Sequence, residues 1–225
     1  MSLILHGVPL SPFVRKVRTV LAEKKLDYDM KMVVPYATRD EYSEINPLRR
    51  VPALQDGDIT LCDSAIICQY LETTHPSPSL IPNSPALAAR CQWLEKYADY
   101  ELAPDSTFKV FFQRIVQPTF GKETDDDVVK DAIEKRMPPH LDYLESQLNG
   151  QSWFIENQFS LADIAVATQL LNLKHAGYSL DAARWPYLAN LLTRFCERPV
   201  VAEMLQEEIA TLDKVRARFN ISATL

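Results

Sequence analysis

The residues best placed to do chemistry lie in one stretch, NPLRRVPALQDGDITLCDSAIICQYLE, from Asn46 to Glu72. Pro52 stands at the start of an apolar run, 51–55, that reads as a short strand. A proline is tolerated there because no ladder donor is lost, and a cis bond before it would open the backbone to a ligand. Asp63 and Ser64 open a helix, where free N–H groups and the dipole favour an anion. An opened strand beside an anion-binding helix start reads as a peptide site, suited to a small acidic peptide.

The elements that must position these groups surround them. Asp56-Gly57-Asp58 is a tight-turn signal, since Gly57 can take positive φ at little cost, and 59–62 is the return strand. The helix after Asp63 carries Ile66, Ile67, Tyr70 and Leu71 on one face of a 3.6-residue period. Upstream, 3–5 predicts a first strand and 7–10 a loop. Ser11-Pro12 predicts a helix start, with Ser11 as N-cap and Pro12 as the first helical residue. That helix is expected to reach about Lys25, burying Phe13, Val14, Val17, Val20 and Leu21 while Arg15, Lys16 and Arg18 face water. Alternation over 28–34 predicts a second strand, and 35–50 a polar connection with one helical turn around 39–45. The order is βαβ followed by ββα, which implies a four-stranded mixed sheet of the thioredoxin-like kind.

Beyond His75-Pro76-Ser77-Pro78 the pattern changes. The expected organisation is a first domain at 1–77, a linker at 78–85 and an all-helical domain at 86–225. The fold class is therefore α/β plus all-α. Helices are expected at 86–103, with Pro104 as a kink or break, and at 128–148, 184–198 and 200–219. Between them, 108–116 is strongly apolar and the acidic run 123–127 reads as a solvated loop. Phe159-Ser160-Leu161-Ala162-Asp163-Ile164 is a complete helix-start device: Ser160 caps, Asp163 bonds back to its N–H, and Phe159 packs on Ile164. The helix it opens, 161–173, is apolar nearly all round and belongs at a domain centre.

Composition bounds the function. A net charge of −6 and a pI near 5.3 argue against nucleic-acid binding, which needs a basic footprint. No apolar run approaches the ~20 residues of a membrane span, and the N-terminus has no signal-peptide pattern. The expected location is cytoplasmic. Cys62, Cys68, Cys91 and Cys196 form no CxxC pair, and His6, His75, His140 and His175 are scattered, so no zinc spacing is present and no metal is expected.

Four motifs in order, SPFVRKVR, NPLRRVPAL, the Asp63-Ser64 helix start and FSLADIAV, resemble a cytosolic glutathione transferase of the serine type over almost the whole chain. The resemblance implies glutathione as co-substrate, a helical domain that shapes an electrophile pocket, and a homodimer with no nucleic-acid or membrane partner. It places Ser11 where serine-type members hold the hydroxyl that activates the glutathione thiol. It also assigns glutathione contacts to Phe13, Arg50, Val51, Pro52, Asp63 and Ser64, with Pro52 as the cis-proline and Val51 pairing with the cysteinyl backbone. The electrophile pocket would draw on Pro9, Leu10, Phe108, Phe111 and Phe112. Two departures from the family pattern stand out. Glu156-Asn157 replaces the usual Gly-Asp, and neither Tyr nor Cys occupies the activating position of the first helix. Taken singly, Ser11 and Ser64 are helix caps in most proteins; it is their joint occurrence with the other motifs that carries the reading. Conjugation to a small apolar electrophile is the expected activity. A glutathione-dependent disulfide or peroxide reductase, a glutathione-dependent isomerase, and a non-catalytic binding or regulatory protein share the fold.

Overall fold

A computed structural model describes residues 2–35 and 40–221. The chain divides into two compact units, Met1–Leu80 and Ile81–Leu225.

Unit 1 is a four-stranded sheet of order β2-β1-β3-β4, formed by β1 (Leu3–Gly7), β2 (Tyr28–Met32), β3 (Ala53–Asp56) and β4 (Ile59–Cys62). β1 and β2 run parallel, which requires the crossover helix α1 (Pro12–Glu23); β1–β3 and β3–β4 are antiparallel. Gly57, at φ 58°, makes the β3–β4 turn, and α2 (Ser64–Thr74) follows, packed against α1. This is the thioredoxin-like arrangement. Strand 2 ends at Met32, and β3 begins after Pro52. The helical turn of the connection is 3₁₀, Asp40–Glu44; position 39 lies outside the described residues.

Two expected faces are corrected. Arg15, Lys16 and Arg18 do not face water: all three are buried on α1, with α2 packed alongside. A short helix covered on several sides has no wide solvent face, so the long charged stems are packed and their heads must find partners. None of the three lacks one, and Arg18 Nε donates to Tyr28 Oη at 2.9 Å. On α2, Ile67 and Leu71 are fully buried, but Ile66 is 54% exposed.

Unit 2 is helical: α3 (Pro85–Tyr97), α4 (Ala103–Asp105), α5 (Asp126–Asp131), α6 (Met137–Leu148), α7 (Leu161–His175), α8 (Pro186–Glu197) and α9 (Pro199–Phe219). α7 is its axis, packing against α3, α8 and the 106–116 segment, with nearly every side chain buried. The chain does not break at Pro104, and the expected 128–148 helix is continuous; wider π-helical turns are spliced into the runs, at Ala98–Leu102, Ser106–Val116 and Ala132–Arg136. A π-turn absorbs an extra residue without ending the helix. Part of the acidic run is helical: Asp125 caps α5 by accepting from Val128 N–H at 3.1 Å.

Candidate functional site

Register brings the predicted residues of unit 1 to one end of the sheet. His6 pairs with Ala53, and Ala53 pairs with Cys62, so these three lie in a row across β1, β3 and β4. With strands ~4.8 Å apart, the row spans about 10 Å. One step beyond it lie Gly7 and the loop to Ser11, then Pro52, then Asp63. Gly7 is required: a Cβ there would come within 2.4 Å of Val14 Cγ2, so only glycine lets the end of β1 meet α1.

Ser11 caps α1, its Oγ accepting from Val14 N–H at 3.4 Å. The bond uses the oxygen, and the hydroxyl proton stays available to an acceptor. Half-buried Phe13 follows in the first turn of the helix, Pro9 is buried and Leu10 half-buried in the preceding loop. The Val51–Pro52 bond is cis, and both residues are buried. The Arg50 side chain is exposed, whereas its carbonyl is held from inside the unit by Tyr42 Oη at 2.9 Å and Asn46 Nδ2 at 2.7 Å.

Asp63 is the N-cap of α2, accepting from Ala65 N–H at 2.9 Å and Ile66 N–H at 3.4 Å, both on Oδ1. Its backbone sits at φ 78°, ψ 127°, a region that a residue with a Cβ occupies only when its surroundings insist, and one concentrated at ligand sites. Ser64 follows as the first helical residue and is 4% exposed. Burial and the neighbouring Asp63 charge push the Cys62 thiol above its ordinary value; the Sγ–H donates to Ile45 O at 3.3 Å.

The aromatic residues expected in the electrophile pocket belong to unit 2 and differ among themselves. Phe111 is core at 6% exposure, Phe112 is half-buried, and Phe108 is 51% exposed. A shallow cleft of unit 2, about 390 Å³, is lined by Lys109, Asp125, Asp127, Val128 and Asp131, none of them a predicted site residue. Among the described residues no cluster of His, Cys, Asp or Glu could hold a metal ion, and all four cysteines are unbridged.

The loop that lacks the usual Gly-Asp keeps a tight geometry. Glu156 and Asn157 take φ 49° and 59°, the pair of positive values of a two-residue hairpin turn, across the Ile155–Gln158 bridge. Asn157 Oδ1 accepts from Ser152 N–H at 2.6 Å. Tyr42 and Asn46 were not singled out in the sequence. The signal near them is Asn46-Pro47, a turn-forming pair inside the 35–50 connection.

Comparison with known proteins gives a consistent result. Residues 5–79 match the model of the glutathione S-transferase N-terminal domain and 110–208 that of the C-terminal domain. A glutathione S-transferase of Hyoscyamus muticus is 32% identical over 170 residues, 73% of this chain and 79% of that protein. A probable maleylacetoacetate isomerase 1 of Drosophila melanogaster is 30% identical over 182 residues, 78% of this chain and 70% of that one. Among solved structures, a glutathione S-transferase of Rhodospirillum rubrum F11 superposes with a TM-score of 0.82 at 26% identity, covering 90% of this chain and 91% of the other.

Proposed function

Since the chain belongs to the glutathione S-transferase family, we propose that it binds glutathione at the sheet end of unit 1 and adds the thiolate to a small apolar electrophile. The observation that most supports this is the row His6–Ala53–Cys62, which sets the Ser11 loop, cis-Pro52 and the Asp63 cap side by side. In this reading the cysteinyl backbone of glutathione pairs with Val51. The α-amino group meets the second oxygen of Asp63, and the α-carboxylate meets Ser64 and the free N–H groups of α2. Phe13 and Arg50 border the bound tripeptide.

A thiol of pKa ~8.5 is only a few per cent thiolate at neutral pH. The Ser11 hydroxyl donates to the sulfur and favours the anion, with the start of α1 adding the positive end of its dipole. The thiolate forms the new C–S bond with its own electron pair, and the leaving group departs with the pair it shared. In an addition, the π bond breaks instead, its pair moves to the far atom, and that atom takes a proton from solvent. Ser11 forms no covalent bond to substrate. No metal enters the scheme, and the assembly is a homodimer.

The test is a panel of electrophiles, a disulfide, a peroxide and a cis-alkene substrate, each assayed with glutathione on the purified protein. Conjugation of an aryl or alkyl electrophile is expected. Turnover of the disulfide or peroxide alone would replace the transferase by a reductase. Glutathione-dependent isomerisation alone would place the chain with its isomerase-named relative. Tight glutathione binding with no turnover at all would make it a binding protein.

A further inference from the structure

We propose that Tyr42 and Asn46 are positioning residues for glutathione, a brace that sets the Arg50–Val51 peptide against the Asp63 helix start. The inference rests on the glutathione reading above. A peptide unit is planar, so a carbonyl pinned at one end fixes the direction of the N–H at the other. Two donors pin the Arg50 carbonyl, Tyr42 Oη at 2.9 Å and Asn46 Nδ2 at 2.7 Å. The N–H fixed with it is that of Val51, the residue whose backbone is to pair with the ligand and whose next bond is cis.

The brace is itself rigid. Asn46 uses its other amide atom as well, Oδ1 accepting from Leu48 N–H at 3.0 Å, and its carbonyl accepts from Arg49 N–H at 2.9 Å. Ile45 and Asn46 N–H groups both donate to Tyr42 O, at 3.1 and 2.9 Å. Tyr42 and Asn46 are 7% and 3% exposed. The same turn reaches the other wall of the site, because Ile45 O accepts from the Cys62 thiol at 3.3 Å, one residue before Asp63. Thus one short segment holds both the strand that would read the cysteinyl unit and the helix start that would hold the γ-glutamyl end. Burial, with a smaller contribution from Cys62, pushes the Tyr42 phenol up to about 12, so it remains a donor through any working pH.

Neither residue touches the reacting sulfur in this scheme, which separates its signature from that of Ser11. Tyr42→Phe deletes one oxygen, and Asn46→Asp keeps the acceptor for Leu48 while turning a donor toward Arg50 O into a repelling carboxylate. We expect the glutathione Kd and KM to rise about threefold in Tyr42→Phe and tenfold or more in the double variant. The kcat at saturating glutathione and the pH midpoint of the rate should stay within twofold. Calorimetry, steady-state kinetics and a melting curve on each variant read these quantities, with Ser64→Ala as the control for the site. Wild-type affinity in the double variant beside lost affinity in Ser64→Ala overturns the brace and leaves the glutathione site standing. Wild-type affinity in both overturns the brace and the site together. Should the double variant fail to fold, Tyr42→Phe decides alone, and an unchanged Kd in it overturns the proposal. A lowered melting temperature with an unchanged Kd of the folded protein would reduce both residues to structural supports and overturn it equally.

Discussion

Ser11 can cap and donate at once because the helix uses its oxygen while a ligand would use its hydrogen. This makes Ser11→Ala a two-part change. Losing the cap costs about 1 kcal/mol of stability. Losing a charge-assisted donor to sulfur lowers turnover roughly 10–100-fold, measured about two pH units below the thiol's ordinary pKa of ~8.5. Raising the pH should restore part of the rate, since bulk base then supplies the thiolate, while glutathione affinity changes much less. Rates measured across pH at saturating glutathione check this, and an unchanged profile would leave Ser11 a cap only. Positions of this kind were legible because their signals are local: Ser-Pro marks a helix start, and Asp-Ser after a strand marks another. Tyr42 was not legible. Its hydroxyl acts on a carbonyl eight residues away, and nothing in the sequence around a tyrosine says which backbone oxygen it will meet.

At the scale of elements, charge misled on α1 and periodicity misled at one position of α2, Ile66. The apolar stripe of α1 is buried at Val14, Val17, Val20 and Leu21, but Arg15, Lys16 and Arg18 are buried beside it. Sequence pattern shows which residues are apolar; it does not show how many neighbours a helix has. Lys24 is the extreme instance. Its Nζ, fully buried, reaches Glu72 Oε2 at 2.7 Å and the carbonyls of His75 and Pro78 at 2.7 and 2.8 Å. Glu72 Oε1 in turn accepts from Ser79 Oγ and Leu80 N–H. Lys24→Ala leaves a carboxylate and two carbonyls facing the gap and should cost about 3–5 kcal/mol, read from urea unfolding; a cost under about 1 kcal/mol would mean that water replaces the ammonium there. In unit 2, the Ser160–Asp163 part of the helix-start device was legible, and the ring contacts of Phe159 are with Trp153 and Phe195. Asp163, fully buried, accepts from Phe154 N–H, Ser160 N–H and Ser160 Oγ–H at 2.8, 2.8 and 2.7 Å. Burial outweighs these bonds and pushes its carboxyl up to about 6. The folded state therefore holds an extra proton between the ordinary value of 3.8 and about 6. The stability this confers is complete below that window and lost as pH rises through it, up to ~3 kcal/mol for the shift of about two units. Asp163→Asn abolishes the titration, so its stability deficit against wild type should be largest near the acid end of the window and narrow by neutrality. A deficit that grows with pH would show that the carboxylate is the form the cap prefers.

At the scale of the whole molecule, family membership points to a homodimer, and the structure changes the grounds for it. Leu87, Cys91 and Leu94 recur on one face of α3, a candidate for an apolar contact between copies. Yet Cys91 and Leu94 are fully buried within unit 2, where α3 packs on α7. That face is core and asks for no second chain. The exposed large apolar side chains among the described residues include Ile59 and Ile66 on unit 1, 45% and 54% exposed, and Trp93 and Tyr100 on unit 2, 56% and 63% exposed. Exposed aromatic side chains such as Trp93 and Tyr100 are of the type enriched at protein interfaces. The expected contact is twofold, with unit 1 of one copy on unit 2 of the other, so each side chain in it would be covered twice over. Each copy carries a net charge of −6, so association should weaken at low ionic strength, where like charges are least screened. Light scattering at micromolar concentration is expected to give twice 25.6 kDa. Trp93→Glu and Ile66→Glu, each placing a charge where a partner would dehydrate it, should each shift the protein toward half that mass while its circular dichroism is unchanged. A wild-type particle of 25.6 kDa would end the dimer; a dimer indifferent to both substitutions would keep it but move the interface to another face.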